Sequence, residues 1–465
     1  MRAPRRLLIA MAVGLALVGA TGSTAAGTSP PTLWIEGREL RPAIPPAMID
    51  GHTLVPVRAV AEALGARVDW VPERQEVAVA HRSRRIQLRV GAQEALVDGR
   101  PVRLPASPRM VGERVMAPLR FVAESMGSFV AWDPRGPAIH VSTNPHHLPA
   151  GGVVLSDAPF GEVANARHLI RLVEPGAGLI GADLRLRVAG RVLDPSYVKV
   201  QACLYQVPPA FAGGAVPDRQ ALASLMEGQE PLLSRLVSLT ENRFEFDLWF
   251  EDPGDYIVLL SVVSDYREFG AHVSWKWTLT HWFRAVNWSR EARYLVPTSY
   301  EIDSDHPEVY GWAQTLTAGR RGREAVLAIH DWVARNVQYD TERLAAIRGG
   351  GEVGVPILRA SDILSLRRGV CQDYAVLAAA LLRAAGFRAR VVTGIATPPG
   401  GEDELHAWNQ VWVDGRWLSF DVTWNSGHVE DGRFVARFSR DYFDPPEAAF
   451  ARTHRAETAP RPVSP

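Results

Sequence analysis

Lysine is almost missing from this chain: Lys199 and Lys276 are the only two, and every other basic side chain is arginine. The arginines are scattered, and 51 basic residues balance 51 acidic ones, for a formal net charge of zero. No basic stripe is present to neutralise phosphates, so a nucleic-acid partner is not expected. Cysteine is as scarce, with Cys203 and Cys371 alone in 465 residues. Two thiols exclude a disulfide framework and a cysteine-rich zinc site. His52, His81 and His140 are dispersed without metal-ligand spacing, so neither a metal nor a cofactor is expected. Long apolar runs are also lacking. The one candidate, residues 7–20, is too short for a comfortable membrane span. Arg2, Arg5 and Arg6 precede it and small residues follow through Ala26, the pattern of a secretory signal peptide over 1–26. A secreted or cell-surface protein without an integral membrane segment after signal removal is the expectation.

What is present is ordinary globular composition, 47% apolar and 22% charged, in a length suited to about three domains. Residues 30–143 hold an internal repeat spaced by 62 positions. Gly37 recurs as Gly99, the run 54–58 as 116–120, the run 60–65 as 122–127, and Trp70 as Trp132. Each unit reads as short strands, a glycine-terminated helix and a hairpin, a duplicated α+β module too short for a solenoid. Residues 148–290 change to alternating strands, near 184–188, 198–204, 244–250 and 256–263, separated by turn-rich breaks, which predicts a β-sandwich. Cys203 falls there on the more polar side of its strand, beside Lys199, Gln201 and Tyr205, an incidental thiol. The stretch 456–465 reads as a disordered tail.

The chemistry concentrates in residues 291–455. Gly369-Val370-Cys371-Gln372-Asp373-Tyr374-Ala375 leads into Val376, Leu377, Ala380, Leu381 and Ala384 at helical spacing, stopped by Gly386. Cys371 then opens a helix, where the dipole favours a thiolate and backbone N–H groups, that of Gln372 included, are free to hold an oxyanion. Downstream, residues 408–413 alternate in period two, Asp414-Gly415 predicts a type I′ turn, and 416–421 returns. That register sets Trp408 opposite Asp421 and puts His406 on the same face, a diagonal neighbour of the carboxylate. Cysteine, histidine and aspartate in these positions form the set that a thiolate nucleophile needs: an activating base and an orienter for the base. Gln372 and Trp408 are the oxyanion or cleft candidates. Asp373 suits the helix N-terminus, and His330, inside an amphipathic helix read over 325–337, suits a structural polar role.

These strings carry a resemblance. Residues 369–375 and 382–392, with His406-Ala407-Trp408-Asn409, Asp421-Val422-Thr423-Trp424 and the helix around His330, resemble the transglutaminase-like core of secreted bacterial proteins. Tyr442-Phe443-Asp444 with residues 450–454 is similar to the ending of one subgroup. The resemblance implies a papain-like α+β fold and a Cys371–His406–Asp421 triad acting on amide bonds of a protein or peptide, by hydrolysis or transamidation. The repeats of 30–143 resemble the copper amine oxidase N-terminal-like, or stalk, module. The whole is then α+β and multidomain: stalk module, β-sandwich, and a C-terminal papain-like, transglutaminase-like domain. A competing reading is a non-catalytic surface scaffold that uses the same cleft for recognition, with cell-envelope material as a partner under either reading.

Overall fold

A computed structural model of the protein describes residues 30–457, apart from 50, 83, 134–135, 137, 157–160, 163–164, 208–230, 270–271, 298–300, 349–356 and 399. The segment read as a signal peptide lies outside the described residues, as does 458–465. Ala456, read as the first residue of the tail, instead ends a strand, His454–Ala456, that pairs with Gly394 to Ala396.

The N-terminal elements recur at the spacing of the sequence repeat. Thr32–Ile35, Arg38–Leu40, Ala47–Ile49, His52–Pro56 and the helix Val57–Ala63 correspond to Glu94–Val97, Arg100–Arg103, Arg109–Val111, Arg114–Pro118 and Leu119–Ser125. Gly37 and Gly99 both take positive φ at the first hairpin turn, as do Gly65 and Gly127 after each helix. The units are interlaced rather than consecutive. Thr32–Ile35 pairs in parallel with Ala138–Ser142, so the last hairpin of the second unit completes the sheet begun by the first. The reciprocal sheet contains an additional strand, Arg84–Arg89, between Glu76–His81 and Glu94–Val97. Neither half owns a complete core; Leu33, Val60, Leu88, Val122 and Val141 share one. Equivalent positions are therefore not equivalently buried everywhere. Trp70 is 37% exposed, whereas Trp132 packs against the core and its N–H donates to Asp183 of the next domain (3.2 Å).

Two sheets follow. Gly152–Ser156, Leu179–Ala182, His272–Asn287, Gly254–Phe269, Lys199–Gln206 and Leu233–Ser238 form the larger one, with Gly161–Glu162 on its flank. Ile170–Glu174, Arg185–Val192 and Arg243–Trp249 form the smaller. Val188 and Leu248 of one and Val200, Leu204, Val258 and Phe283 of the other meet in one core, as in a sandwich. Cys203 is half-buried on the more polar face of its strand, where Lys199 and Gln201 bond to Ser238 and Ser234 while Tyr205, Ile257, Leu259 and Trp282 form an apolar end.

The C-terminal domain wraps a helix, Cys371–Ala384, that is buried along nearly its whole length. Helices Pro307–Thr317, Gly322–Asn336 and Ala360–Leu366 cover one side of it. The other side meets an antiparallel sheet ordered Arg416–Phe420, Glu404–Val413, Arg388–Ala396 and His454–Ala456. This is why residues 375–382 are alanine and leucine almost without interruption, since an all-round apolar surface suits a helix enclosed on all sides. The domains are stitched together. Asn144 donates its amide to the Ala384 carbonyl at the end of that helix (3.0 Å), and Arg235 pairs with Asp305 (2.6 Å).

Candidate active site

Cys371 is the first residue of the central helix, and three residues of its motif explain that placement. Asp373 reaches back to accept the Val370 N–H (2.8 Å) and is held by Arg343 Nε (2.9 Å), satisfying one of the orphan donors of the first turn. Gly369 makes room for it, because a Cβ there would lie 2.5 Å from the Asp373 Cβ. Tyr374 anchors the turn from inside by donating its hydroxyl to the Val337 carbonyl (2.6 Å). Cys371 and Gln372, unlike the residues after them, remain half-exposed.

The hairpin opposite has the predicted register from Val413 with Arg416 to Asn409 with Phe420, and Asp414 and Gly415 both take positive φ as a type I′ turn requires. It departs at the end that matters. Asp421 leaves the ladder instead of pairing with Trp408: its N–H goes to the Tyr442 carbonyl (3.0 Å). The freed carboxylate turns under His406, whose Nε2 lies 2.8 Å from Oδ2. Asn409, on the same strand as His406, donates to the Ala375 carbonyl (2.8 Å) and ties that strand to the helix carrying Cys371.

Asp421 is wholly buried and accepts four hydrogen bonds. Oδ1 takes the Thr423 and Trp424 N–H groups (2.9 and 3.1 Å), and Oδ2 takes His406 and also His454 Nε2 (3.2 Å). Burial alone raises a carboxyl, but His406 and the hydrogen bonds from both histidines hold Asp421 well below the usual carboxylate range. For His406 burial opposes the imidazolium, yet the Asp421 charge, the Asp421 hydrogen bond and a hydrogen bond to Cys371 outweigh it and push the ring up to about 10. Nε2 being committed to Asp421, Nδ1 is the ring nitrogen left for the thiol. Burial, with Cys371 and Glu404 adding to it, pushes the Tyr339 phenol above its ordinary range, so a neutral hydroxyl stands in the field of the thiol.

The structure thus brings Cys371, His406 and Asp421 together and leaves Trp408 apart. Trp408 is buried edge-on to His454 (5.1 Å), against Phe450, behind the His–Asp pair. Trp424, from the loop after Asp421, lies over both histidines instead (5.2 and 4.6 Å). His330 is internal, bonded to Asp331 (3.0 Å) and Asn425 (2.9 Å). Sequence reasoning noticed the string containing His454 without giving it a role; no period or spacing links residue 454 to residue 421.

His406, Asp421 and His454 are the one group of three or more potential metal ligands among the described residues, with donor atoms within 4.8 Å. Their donor atoms are already matched by hydrogen bonds within the group, and a buried carboxylate between two imidazole N–H donors is satisfied without an ion. In the N-terminal domain no such group occurs among the described residues. His81 is buried, and His140 stacks on Trp34 (6.0 Å).

Residues 34–141 match the copper amine oxidase N-terminal domain, and residues 310–422 match the transglutaminase-like superfamily. Over 141 residues the chain is 31% identical to the kyphoscoliosis peptidase of Mus musculus, a match covering 28% of this chain and 20% of that one. Over 99 residues it is 43% identical to an uncharacterized protein of Mycobacterium tuberculosis, covering 18% and 31%. The match therefore spans only about a fifth of the mouse peptidase. Among solved structures, the periplasmic domain of TgpA from Pseudomonas aeruginosa aligns at 15% identity and a TM-score of 0.21, over 49% of this chain and 88% of that one. The chain thus carries a match to the copper amine oxidase N-terminal domain followed by a match to the transglutaminase-like superfamily, and Cys371, His406 and Asp421 all lie within the second match.

Proposed function

We propose that this is an exported cysteine enzyme that opens protein or peptide amide bonds through a thioacyl intermediate. The observation that carries the reading is the buried His406–Asp421 pair, with His406 Nε2 at 2.8 Å from Oδ2, whose imidazole is also raised by its interaction with Cys371 at a helix N-terminus. Cys371 Sγ attacks the amide carbonyl as a thiolate, and the negative oxygen develops toward the first-turn N–H groups, that of Gln372 among them. The carbon–nitrogen bond then breaks, and His406 Nδ1–H gives its proton to the leaving amine. The thioester that remains is opened by water or by an incoming amine, which loses its proton to the now neutral Nδ1, and the thiolate is released. Asp421 stays ionised throughout and keeps the Nε2–H in place. The N-terminal domain holds no group used in these steps and serves as a spacer or tether at the cell envelope.

Alkylation tests the nucleophile. Iodoacetamide should label Cys371, with His406 beside it, far faster than Cys203, whose thiol burial pushes up. Slow, equal labelling of the two would remove the reading. Exposing the labelled and unlabelled protein to peptide mixtures with and without added amines then separates hydrolysis from transamidation.

A further inference from the structure

We infer that His454 is a positioning residue for the Cys371–His406 pair, acting by holding the Asp421 carboxylate in one orientation; this rests on the cysteine-enzyme reading above. A triad needs only one imidazole on its carboxylate, and here two share Oδ2, His406 at 2.8 Å and His454 at 3.2 Å. With Oδ1 fixed by the Thr423 and Trp424 N–H groups, Asp421 has a donor on every side and its plane cannot turn. His454 is itself held at both ends. Its Nδ1 lies 2.9 Å from the Thr453 hydroxyl, and its ring stacks on Phe450 (4.0 Å, 8°) with Trp408 edge-on at 5.1 Å.

The surroundings argue that the nitrogen, not the ring, is what the site requires. His454 sits buried among Phe450, Trp408, Trp424 and Tyr442. Phenylalanine would fill such an aromatic box without the cost of burying a polar ring. The strand that delivers His454 pairs with the edge of the sheet opposite the Arg416–Phe420 strand. Asp421 is therefore gripped from two sides, by His406 from the hairpin and by His454 from the closing strand.

The full-length protein tests this with three substitutions that separate packing from hydrogen bonding. His454→Phe keeps the stacked ring and removes the donor. His454→Gln loses the ring and can still present an N–H to Asp421. Thr453→Val is nearly isosteric and releases Nδ1. The readouts are the rate of Cys371 alkylation, with Cys203 as internal reference, the thermal midpoint, and the exchange rate of the His406 Nε2–H by NMR of 15N-histidine-labelled protein. Alkylation should fall roughly ten- to a hundredfold in His454→Phe, as for other partners that orient a functional group. It should recover to within about threefold in His454→Gln and fall modestly in Thr453→Val, and the His406 N–H should exchange faster only where alkylation is slowed. A wild-type rate and a protected His406 N–H in His454→Phe would overturn the inference. So would a His454→Gln protein that stays folded yet is as slow as His454→Phe, since ring packing would then be the whole role. Stoichiometric metal in the purified protein, with alkylation altered by a chelator, would also overturn it. Should His454→Phe not fold, the ordering of His454→Gln and Thr453→Val against wild type decides in the same sense. If wild-type Cys371 itself labels no faster than Cys203, the cysteine-enzyme reading has failed, and the NMR comparison alone judges His454.

Discussion

Replacing Asp421 by asparagine should disable Cys371 while leaving the fold standing, and the hydrogen bonds around the carboxylate say how. Oδ1 accepts two backbone N–H groups, so the amide oxygen of asparagine must take that place and its NH2 must take the place of Oδ2. The NH2 then points at His406 Nε2 and His454 Nε2, both of which were donating. Each ring has to move its proton to Nδ1. For His454 that costs little, because the Thr453 hydroxyl is there to accept. For His406 the proton now faces the thiol, which can no longer give up its own. Asp421 was also the main group lifting His406 against burial, so the imidazolium is lost as well. In a serine triad the same change lowers turnover by roughly 10⁴-fold, or about 5 kcal/mol of barrier, and that is the expected loss here. Alkylation of Cys371 at pH 7 should fall by roughly thirtyfold, since an unpaired cysteine is only a few per cent thiolate at that pH. The assay is mass-spectrometric labelling of the Cys371 and Cys203 peptides over time, with a thermal melt on the same sample. An unchanged Cys371 rate in a folded Asp421→Asn protein would mean that another group orients His406, and the tautomer reasoning would be refuted.

Four further outcomes follow from the structure. His406 is raised from 6.5 to about 10 in the folded protein, so its share of the stability is complete below about 6.5 and is lost as pH rises through about 10; denaturant midpoints should fall across that window in wild type and stay flat in Asp421→Asn. Acylation, which needs the imidazolium to protonate the leaving amine, should decline over the upper end of the same range. Gly369→Ala forces a Cβ to within 2.5 Å of the Asp373 Cβ, so a loss of roughly 1–3 kcal/mol in denaturation experiments and slower Cys371 labelling are expected; an unaffected protein would show that the helix N-terminus can shift freely. A chain starting at Ser142 keeps Asn144 on the central helix but loses the Arg120–Asp183 pair and the Glu36 bonds to Ser142 and Thr143, and it should label at Cys371 within about twofold of the full protein. Abolished labelling with the fold retained would assign the N-terminal domain a part in the cleft.

Local rules carried much of this protein in the sequence alone. The 62-residue spacing predicted matching strands, helices and positive-φ glycines, because turn and helix-stop residues act on their nearest neighbours. Gly386 stopping the central helix, and Asp414-Gly415 setting the hairpin register, are of the same kind. The His406–Asp421 contact was legible because both residues lie on the arms of one hairpin, whose two-residue turn fixes the register as far as Asn409 with Phe420. Tertiary structure decided whatever joined distant segments. The interlacing of the two N-terminal units depended on which hairpin completed which sheet, and the contact of Trp132 with Asp183 of the next domain set it apart from the exposed Trp70. The apolar patch beside Cys203 formed only once Ile257, Leu259 and Trp282 of neighbouring strands lay against it. Asp421 left the ladder because the Tyr442 carbonyl, 21 residues later, offered its N–H another partner. His454 reached the same carboxylate from a strand on the other side of the sheet. A hydrogen bond of this kind has a strict distance and angle but no preferred sequence separation, so only the folded chain could reveal it.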